Sequence, residues 1–135
     1  MSVNTILPDS LPPAFLDANQ ITQALGELIR NATESKGVRH IELRVQTDPL
    51  DDRLKIQVTD DGEGLSINTL AHAFDPFFSA KPAGRQPGLG LARVRRIIEA
   101  HGGQVELGNG PSHGAIATIW IKGWRETQDE QRHVA

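Results

Sequence analysis

Two glycine turns in this sequence together suit a nucleotide. The first, residues 60–64, reads DDGEG. Glycines at the second and fourth places after Asp60 let the backbone turn tightly while the acid points into a pocket. The second, residues 88–91, reads GLGL and leads into an apolar-periodic segment. Since backbone N–H groups at a helix start attract phosphate, an acid in one turn and a phosphate cradle in the other predict a nucleotide site.

Two polar residues on an earlier segment could act on a bound nucleotide. Glu27 and Asn31 are four residues apart, so they share one face of a helix. Asn31 offers the oxygen that Mg²⁺ prefers, and Glu27 could orient or deprotonate a nucleophile. A lone pair of this kind is more often a solvated flank, but the two glycine turns downstream favour a functional interpretation. Lys81, in a later loop, could reach phosphate.

Composition narrows the class of protein. The chain has 135 residues, enough for one domain with a real core, and its 38% hydrophobic and 23% charged residues are ordinary for a soluble protein. A net charge of −3 gives no reason to expect nucleic acid or an anionic membrane as a partner. With 0 Cys, the chain has no disulfide and no thiolate metal site. No apolar run approaches the ~18 residues of a membrane span and no signal peptide is visible, so we expect a soluble domain in the cytoplasm. We also expect the isolated domain to be monomeric.

Three segments are predicted to be helices. The first has apolar residues at three- and four-residue spacing, which predicts an amphipathic helix of about five turns: Ile21, Leu25, Leu28, Ile29 and Ala32. Asp17 or Asn19 can cap its start, and Gly37 is placed to end it. Shorter helices are expected after Ser66 and at about residues 89–101.

Alternating apolar residues predict the strands. One antiparallel hairpin is expected from strands at residues 41–45 and 54–58 around a polar loop. A second pair of strands, residues 104–107 and 115–122, is joined by a predicted turn at residues 108–111. A short edge strand fits the proline-rich start, at residues 3–7 or 14–16. Because the strands come as hairpins between helices, the expected fold is α+β, a two-layer sandwich whose mixed, mostly antiparallel sheet carries helices on one face.

A long loop precedes the second glycine turn. Residues 74–87 contain three Pro and a Gly, and loops of this length in small domains are usually functional lids or disordered. Phe74, Phe77 and Phe78 are three of the four Phe in the chain. We expect them to anchor the near end of a lid.

Four motifs, in this order, resemble those of the catalytic ATP-binding domain of sensor histidine kinases, in the superfamily shared with gyrase, Hsp90 and MutL. Asn31 followed by Ala32 resembles the N box, and residues 60–64 resemble the first glycine box. Residues 74–78 resemble the F box, and residues 88–91 the second glycine box. The resemblance covers roughly residues 5–122 and implies a two-layer α/β sandwich that binds ATP and Mg²⁺ beneath a mobile lid.

The resemblance also implies roles for individual residues. Asp60 would hydrogen-bond the adenine amino group, while Gly62 and Gly64 would line the adenine end. Asn31 would hold Mg²⁺, with Glu27 as a second candidate ligand. Further ATP contacts would come from the lid and the second glycine box: Phe78, Lys81, Gly88, Leu89, Gly90 and Leu91.

The sequence departs from the family's pattern in three places. Residues 84–87 read GRQP where Gly-x-Gly-Thr is often found, so a hydroxyl that could touch phosphate is missing and Pro87 lacks an N–H donor. Ala117 stands where Phe is common. Glu34 replaces a residue that is basic in some members. These departures bear on the lid and on the phosphate contacts.

The function that the resemblance implies is half of a protein-histidine kinase. None of the five His has the sequence context of a phosphoacceptor. Residues 1–122 are therefore expected to be the catalytic domain alone, followed by a polar tail at residues 123–135. The domain would transfer the γ-phosphoryl of ATP to a His on a separate dimerisation domain, with a response regulator downstream. It could be the cytoplasmic part of a membrane-bound sensor.

Three alternatives stay open at this point. One is a free-standing serine kinase of the anti-sigma type, against which the F-box segment argues. Another is a hydrolytic ATPase of the gyrase branch, suggested by the four-residue spacing of Glu27 and Asn31. The third is a binding domain that holds nucleotide without chemistry, suggested by Gln86 and Pro87.

Overall fold

The structure, a computed structural model, describes residues 2–8, 17–48, 53–76 and 90–122. Within them the helices and strands are, in chain order, β1 (Ser2–Ile6), α1 (Ala18–Thr33), β2 (His40–Asp48), β3 (Arg53–Asp60), α2 (Ile67–His72), α3 (Gly90–Ala100), β4 (Gln104–Asn109) and β5 (Ala115–Lys122). No helix among these segments combines the length and the apolar character needed to cross a membrane.

The strands form one mixed sheet in the order β1-β2-β3-β5-β4. β1 pairs parallel to β2, and every other neighbouring pair is antiparallel. The predicted hairpin of β2 and β3 and the predicted mixed, mostly antiparallel sheet are both confirmed. Because β5 lies between β3 and β4, the end of β3 comes next to the turn that joins β4 to β5.

One face of the sheet forms the core. Alternate residues of β3 are buried, as expected when successive side chains point to opposite faces of a strand. The central cluster joins this face to α1 and α3: Ile21, Ala24, Leu28, Ala32, Ile41, Ile56, Val58, Val94, Ile98, Ala117, Ile119 and Ile121. The two helices therefore make the second layer, which confirms the α+β sandwich.

α1 begins where one of the two predicted caps places it. Asp17 is the N-cap, and its side chain accepts a hydrogen bond from the backbone N–H of Gln20 at 3.1 Å. The predicted end at Gly37 is wrong, because Glu34 is the C-cap and its N–H already bonds the carbonyl of Arg30. Gly37, with φ +78°, lies in the turn that leads to β2.

The end of α3 is tied to the start of α1 by His101. Nδ1 of His101 lies 2.7 Å from the carbonyl oxygen of Ile97, while Nε2 lies 3.0 Å from the backbone N of Asp17. Since a carbonyl can only accept and an amide N–H can only donate, the imidazole carries its hydrogen on Nδ1. This contact fixes the two helices relative to each other at the end far from the glycine turns.

Further expectations concern the edge strand, the cap of α2, the turn after β4, the lid and the tail. Of the two places for an edge strand, the first is confirmed, and residues 14–16 lie outside the described residues. Ser66 caps α2 as predicted. The turn predicted at residues 108–111 is displaced, because β4 continues to Asn109 and the N–H of Gly110 bonds the carbonyl of Gly114 across the turn. Most of the predicted lid and the tail at residues 123–135 also lie outside the described residues.

Candidate nucleotide-binding site

The carboxylate of Asp60 is buried at the end of β3. Asp60 is only 7% exposed, and its Oδ1 accepts hydrogen bonds from the backbone N of Gly62 at 2.9 Å and of Ala115 at 3.4 Å. None of the described residues donates a hydrogen bond to Oδ2. A buried carboxylate is uncommon unless it is paired, and backbone amides hold only one of the two oxygens here.

The first glycine turn is packed tightly against the segment that follows α1. A Cβ on Gly62 would overlap the side chain of Ser35, and Gly64 has φ +86°, which favours glycine. The N–H of Glu63 bonds the carbonyl of Lys36 at 3.0 Å. The glycines therefore allow a close approach between this turn and the end of α1.

Asp61 strengthens the same junction, a role that the sequence motif does not predict. Its Oδ1 accepts from the backbone N of Arg39 at 2.7 Å and of His40 at 2.9 Å. The hydrogen bond from His40, followed by that from Arg39, lowers the pKa of Asp61 because both favour the charged carboxylate. The neighbouring acids of the turn thus hold two different backbone segments.

Asn109, at the end of β4, holds the other side of the turn. Its Oδ1 accepts from the N–H of Leu65 at 2.7 Å, and its Nδ2 donates to the carbonyl of Leu65 at 2.8 Å. A Cβ on Gly64 would lie 3.0 Å from the same Oδ1. Sequence reasoning assigned Asn109 only to a turn, since Gly-Asn-Gly is typical of turns and nothing local indicates a contact with Leu65.

Glu27 lies where α1 meets the start of α3. Its side chain is 13% exposed, and its Oε1 pairs with the guanidinium of Arg30. Nη1 of Arg93 lies 3.9 Å from the same oxygen. Oε2 is buried, without a hydrogen-bond partner among the described residues, and a Cβ on Gly90 would overlap it. The glycine at the start of α3 therefore makes room for the carboxylate.

A surface cavity of about 530 Å³ opens beside this carboxylate, between α1 and α3. Its lining is formed by Gln23, Gly26, Glu27, Arg30 and Arg93. Sequence reasoning singled out only Glu27 from this set. Arg30 and Arg93 belong to none of the four motifs. They line the same cavity only because α1 and α3 pack side by side.

The other predicted site residues divide into two groups. Asn31 is half-buried on α1, one turn after Glu27, and the half-buried Leu91 packs its side chain on the core. The remaining four lie outside the described residues: Phe78, Lys81, Gly88 and Leu89. The structure thus joins Asp60, Gly62 and Gly64 in one turn and Glu27 with Gly90 at another junction, both along α1.

Comparison with known proteins assigns a family. The family described as histidine kinase-, DNA gyrase B- and HSP90-like ATPases matches residues 16–124. The sensor histidine kinase ZraS of Escherichia coli O157:H7 is 36% identical over 113 residues, which are 84% of this chain and 24% of that protein. The sensory histidine kinase/phosphatase NtrB of Rhodobacter capsulatus is 38% identical over 114 residues, 76% of this chain and 32% of that protein. The chain thus spans about a quarter to a third of the length of these relatives.

Solved structures show the same fold. The catalytic domain of the histidine kinase ThkA, in a nucleotide-free form, matches with a TM-score of 0.77 and 25% identity over 90% of this chain and 78% of that chain. Full-length ShkA in complex with AMPPNP matches with a TM-score of 0.77 and 26% identity over 90% of this chain and 25% of that chain. The fold is therefore that of histidine kinase catalytic domains, and the resemblance predicted from the four motifs is confirmed. The chain belongs to the family of histidine kinase-, DNA gyrase B- and HSP90-like ATPases.

Proposed function

We propose that this chain is the ATP-binding catalytic domain of a sensor histidine kinase, which transfers the γ-phosphoryl of ATP to a histidine on a separate dimerisation domain. A response regulator would accept the phosphoryl group downstream. The family of ATPases supports ATP as the nucleotide, and the curated relatives are sensor kinases. The side chains at the two junctions along α1 support the roles that are proposed below for individual residues.

The observation that carries the proposal is the half-satisfied carboxylate of Asp60. Its Oδ1 is held by backbone amides of Gly62 and Ala115, which orients the group and leaves Oδ2 for a ligand. The exocyclic amino group of adenine is a donor that such an oxygen accepts. Because Gly62 and Gly64 have no side chains, an adenine ring can lie close to the backbone beside Asp60.

The phosphates belong at the start of α3 in this proposal. Gly90 and Leu91 are the first residues of that helix, and unsatisfied N–H groups there attract anions. Gly88 and Leu89 would extend this cradle, while Lys81 and Phe78 would contact ATP from the lid. These four assignments rest on the motif alone.

Asn31 and Glu27 fit a magnesium ion that is bound mainly through ATP. Within the part of the chain that the structure describes, no group of three or more His, Cys, Asp or Glu could hold a metal. Mg²⁺ usually takes one or two protein oxygens and otherwise binds phosphates and water, so a full protein cage is not needed. The Asn31 amide offers such an oxygen, and Oε2 of Glu27 would be a second ligand only where it does not serve as the base. When bound, the ion would neutralise phosphate charge.

Glu27 is also the group best placed to take a proton. In the proposed transfer, an imidazole nitrogen attacks the γ-phosphorus, the bond to the β–γ bridging oxygen breaks, and ADP leaves. The N–H proton of the attacking imidazole would pass to Oε2 of Glu27. Arg30 holds Oε1, which keeps the carboxylate oriented with its other oxygen toward the start of α3.

Asp60→Asn tests the proposed function. Asn keeps an Oδ1 acceptor for Gly62 and Ala115, but its amide nitrogen is a donor that would face the donating amino group of adenine. We expect the fold to persist and the free energy of ATP binding to weaken by about 1.5–3 kcal/mol, measured by calorimetry. Glu99→Gln is the matched control, since Glu99 is exposed and pairs with Arg95 on α3, away from the turn. Unchanged affinity in Asp60→Asn would remove Asp60 from the site.

A hydrolytic ATPase is the second candidate, and the buried Oε2 of Glu27 is the observation that suggests it. A carboxylate with an unpartnered, buried oxygen could equally activate a water molecule for attack on the γ-phosphate. The two candidates differ in which nucleophile Glu27 deprotonates. ATP turnover by the isolated domain therefore separates them.

A further inference from the structure

We propose that Arg30 and Arg93 form a site for the terminal phosphate, through which this domain prefers ATP to ADP. The inference rests on the proposed function, because it takes adenine to lie at Asp60. The two arginines belong to none of the four motifs, and the group that they would recognise is the γ-phosphate.

The position of the cavity along α1 identifies its end of the nucleotide. The first glycine turn, where adenine is proposed to bind, lies at the C-terminal end of α1, where a Cβ on Gly62 would overlap Ser35. Glu27 precedes Ser35 by about two helical turns, and its carboxylate lies at the start of α3. If adenine occupies the Asp60 end, the phosphate chain runs toward Glu27. The cavity beside Glu27 then receives the terminal phosphate.

The charge of the cavity suits that group. Among the described residues, two arginines and one carboxylate line it, so the positive charges of this set are in excess. Arg30 is the only cationic residue of α1, and Arg93 is the only one in the first turn of α3.

The two guanidinium groups are placed to serve a phosphate as well as Glu27. Arg30 is 45% exposed although it pairs with Oε1 of Glu27, so its side chain borders the open cavity. Arg93 is 49% exposed, and its 3.9 Å contact with the same oxygen is too long for a hydrogen bond. Planar guanidinium groups bind phosphate oxygens through paired, charge-assisted hydrogen bonds. Both arginines also offset the repulsion between a γ-phosphate and the carboxylate of Glu27.

The test compares two nucleotides across charge-neutralising variants. Arg30→Gln, Arg93→Gln and the double variant are titrated with ADP and with a non-hydrolysable ATP analogue in excess Mg²⁺, by calorimetry. Each single change should raise the Kd of the analogue about tenfold and leave that of ADP unchanged, and the double variant should lose the preference for ATP. Arg30→Lys and Arg93→Lys keep the charge and should retain most of the preference.

Arg95→Gln is the matched control, because Arg95 lies on the same helix but pairs with Glu99 outside the cavity. It should change neither Kd. An equal loss for ADP and the analogue in the Arg30 and Arg93 variants would overturn the inference, as would the same loss in Arg95→Gln. Asp60→Asn, titrated alongside, should weaken both nucleotides equally. If it does so while the arginine variants keep the ATP preference, only this inference fails; if it has no effect on either nucleotide, the proposed function fails.

Discussion

At the scale of single residues, the two adjacent acids of the first glycine turn do different work. Asp60 directs its carboxylate toward Gly62 and Ala115, whereas Asp61 accepts from the backbone between α1 and β2. Neighbouring residues at a strand end point to opposite sides, so one acid can face a ligand while the other fastens the turn. With a carboxylate only at position 60, the turn would be held less firmly. With one only at position 61, the proposed adenine site would lack its carboxylate acceptor.

Asn109 extends this fastening from the opposite strand. Asn109→Ala removes both hydrogen bonds to Leu65, so we expect the free energy of unfolding to fall by about 1–2 kcal/mol. Because the first glycine turn, where adenine is proposed to bind, would be released on that side, affinity for ATP should fall too. Ser112→Ala, in the same hairpin, is the control, and it should change neither quantity. Denaturant unfolding and calorimetry check both, and a stable Asn109→Ala protein with unchanged affinity would deny Asn109 a positioning role.

Local patterns indicate some of these residues and not others. The close approach at Gly62 and the positive φ of Gly64 agree with a tight turn expected from residues 60–64. Asn109 and Arg93 could not be predicted, because their partners are far away in sequence. Asn109 reaches Leu65 only because β5 lies between β3 and β4, and Arg93 approaches Glu27 only when α3 packs on α1. Neither arrangement is encoded in a short motif.

At the scale of elements, the pairing of α1 with α3 positions the candidate site. His101 joins the end of α3 to the N-cap of α1, and Gly90 accommodates Glu27 at the opposite end. The two helices are thus held at both ends in antiparallel directions. A change in their spacing would move Glu27 relative to the start of α3, where the phosphates are proposed to bind.

The junction between α1 and the first glycine turn should depend on pH through Asp61. Its lowered pKa means that folding is stabilised by the charged carboxylate. That contribution is fully present above the unfolded-state pKa of about 3.9 and is lost as the pH falls from there through the lower folded-state pKa. Unfolding by urea, measured from about pH 7 to about pH 3, should show this loss.

Asp61→Asn supplies the comparison for that titration. Asn retains an oxygen for the N–H groups of Arg39 and His40 but has no charge to titrate. Its stability should therefore fall less steeply in the acid range than that of the wild type. Parallel curves for the two proteins would show that Asp61 does not contribute to the acid sensitivity.

The elements themselves were largely predictable from the spacing of apolar residues. Period-two patterns predicted the central strands, and the three- to four-residue spacing from Ile21 to Ala32 predicted α1. Element ends were less predictable: α1 ends before Gly37, and β4 runs on through Gly108 to Asn109. Glycine permits a turn but does not force one: α1 ends at the cap made by Glu34, and pairing of Asn109 with Ala115 extends β4 beyond Gly108.

At the scale of the whole molecule, one sheet face and two helices bring the proposed adenine and phosphate ends onto the same helix. The turn after β3 packs at the C-terminal end of α1, and the start of α3 packs near Glu27. The proposed nucleotide therefore lies along α1, with adenine at the C-terminal end of the helix and the phosphates near Glu27. That arrangement fits a domain that binds ATP and presents the γ-phosphate of the nucleotide to a partner.

The most direct test of this account is the fate of the γ-phosphoryl group. With γ-labelled ATP and Mg²⁺, the chain should hydrolyse ATP very slowly, gain no acid-labile label itself, and label the histidine of its dimerisation domain when that domain is added. Glu27→Gln should retain Mg-ATP binding and lose transfer by roughly 10²-fold. Steady hydrolysis by the isolated chain at about 1 s⁻¹ or faster, abolished by Glu27→Gln and accompanied by no labelled partner, would contradict the account and establish an ATPase instead.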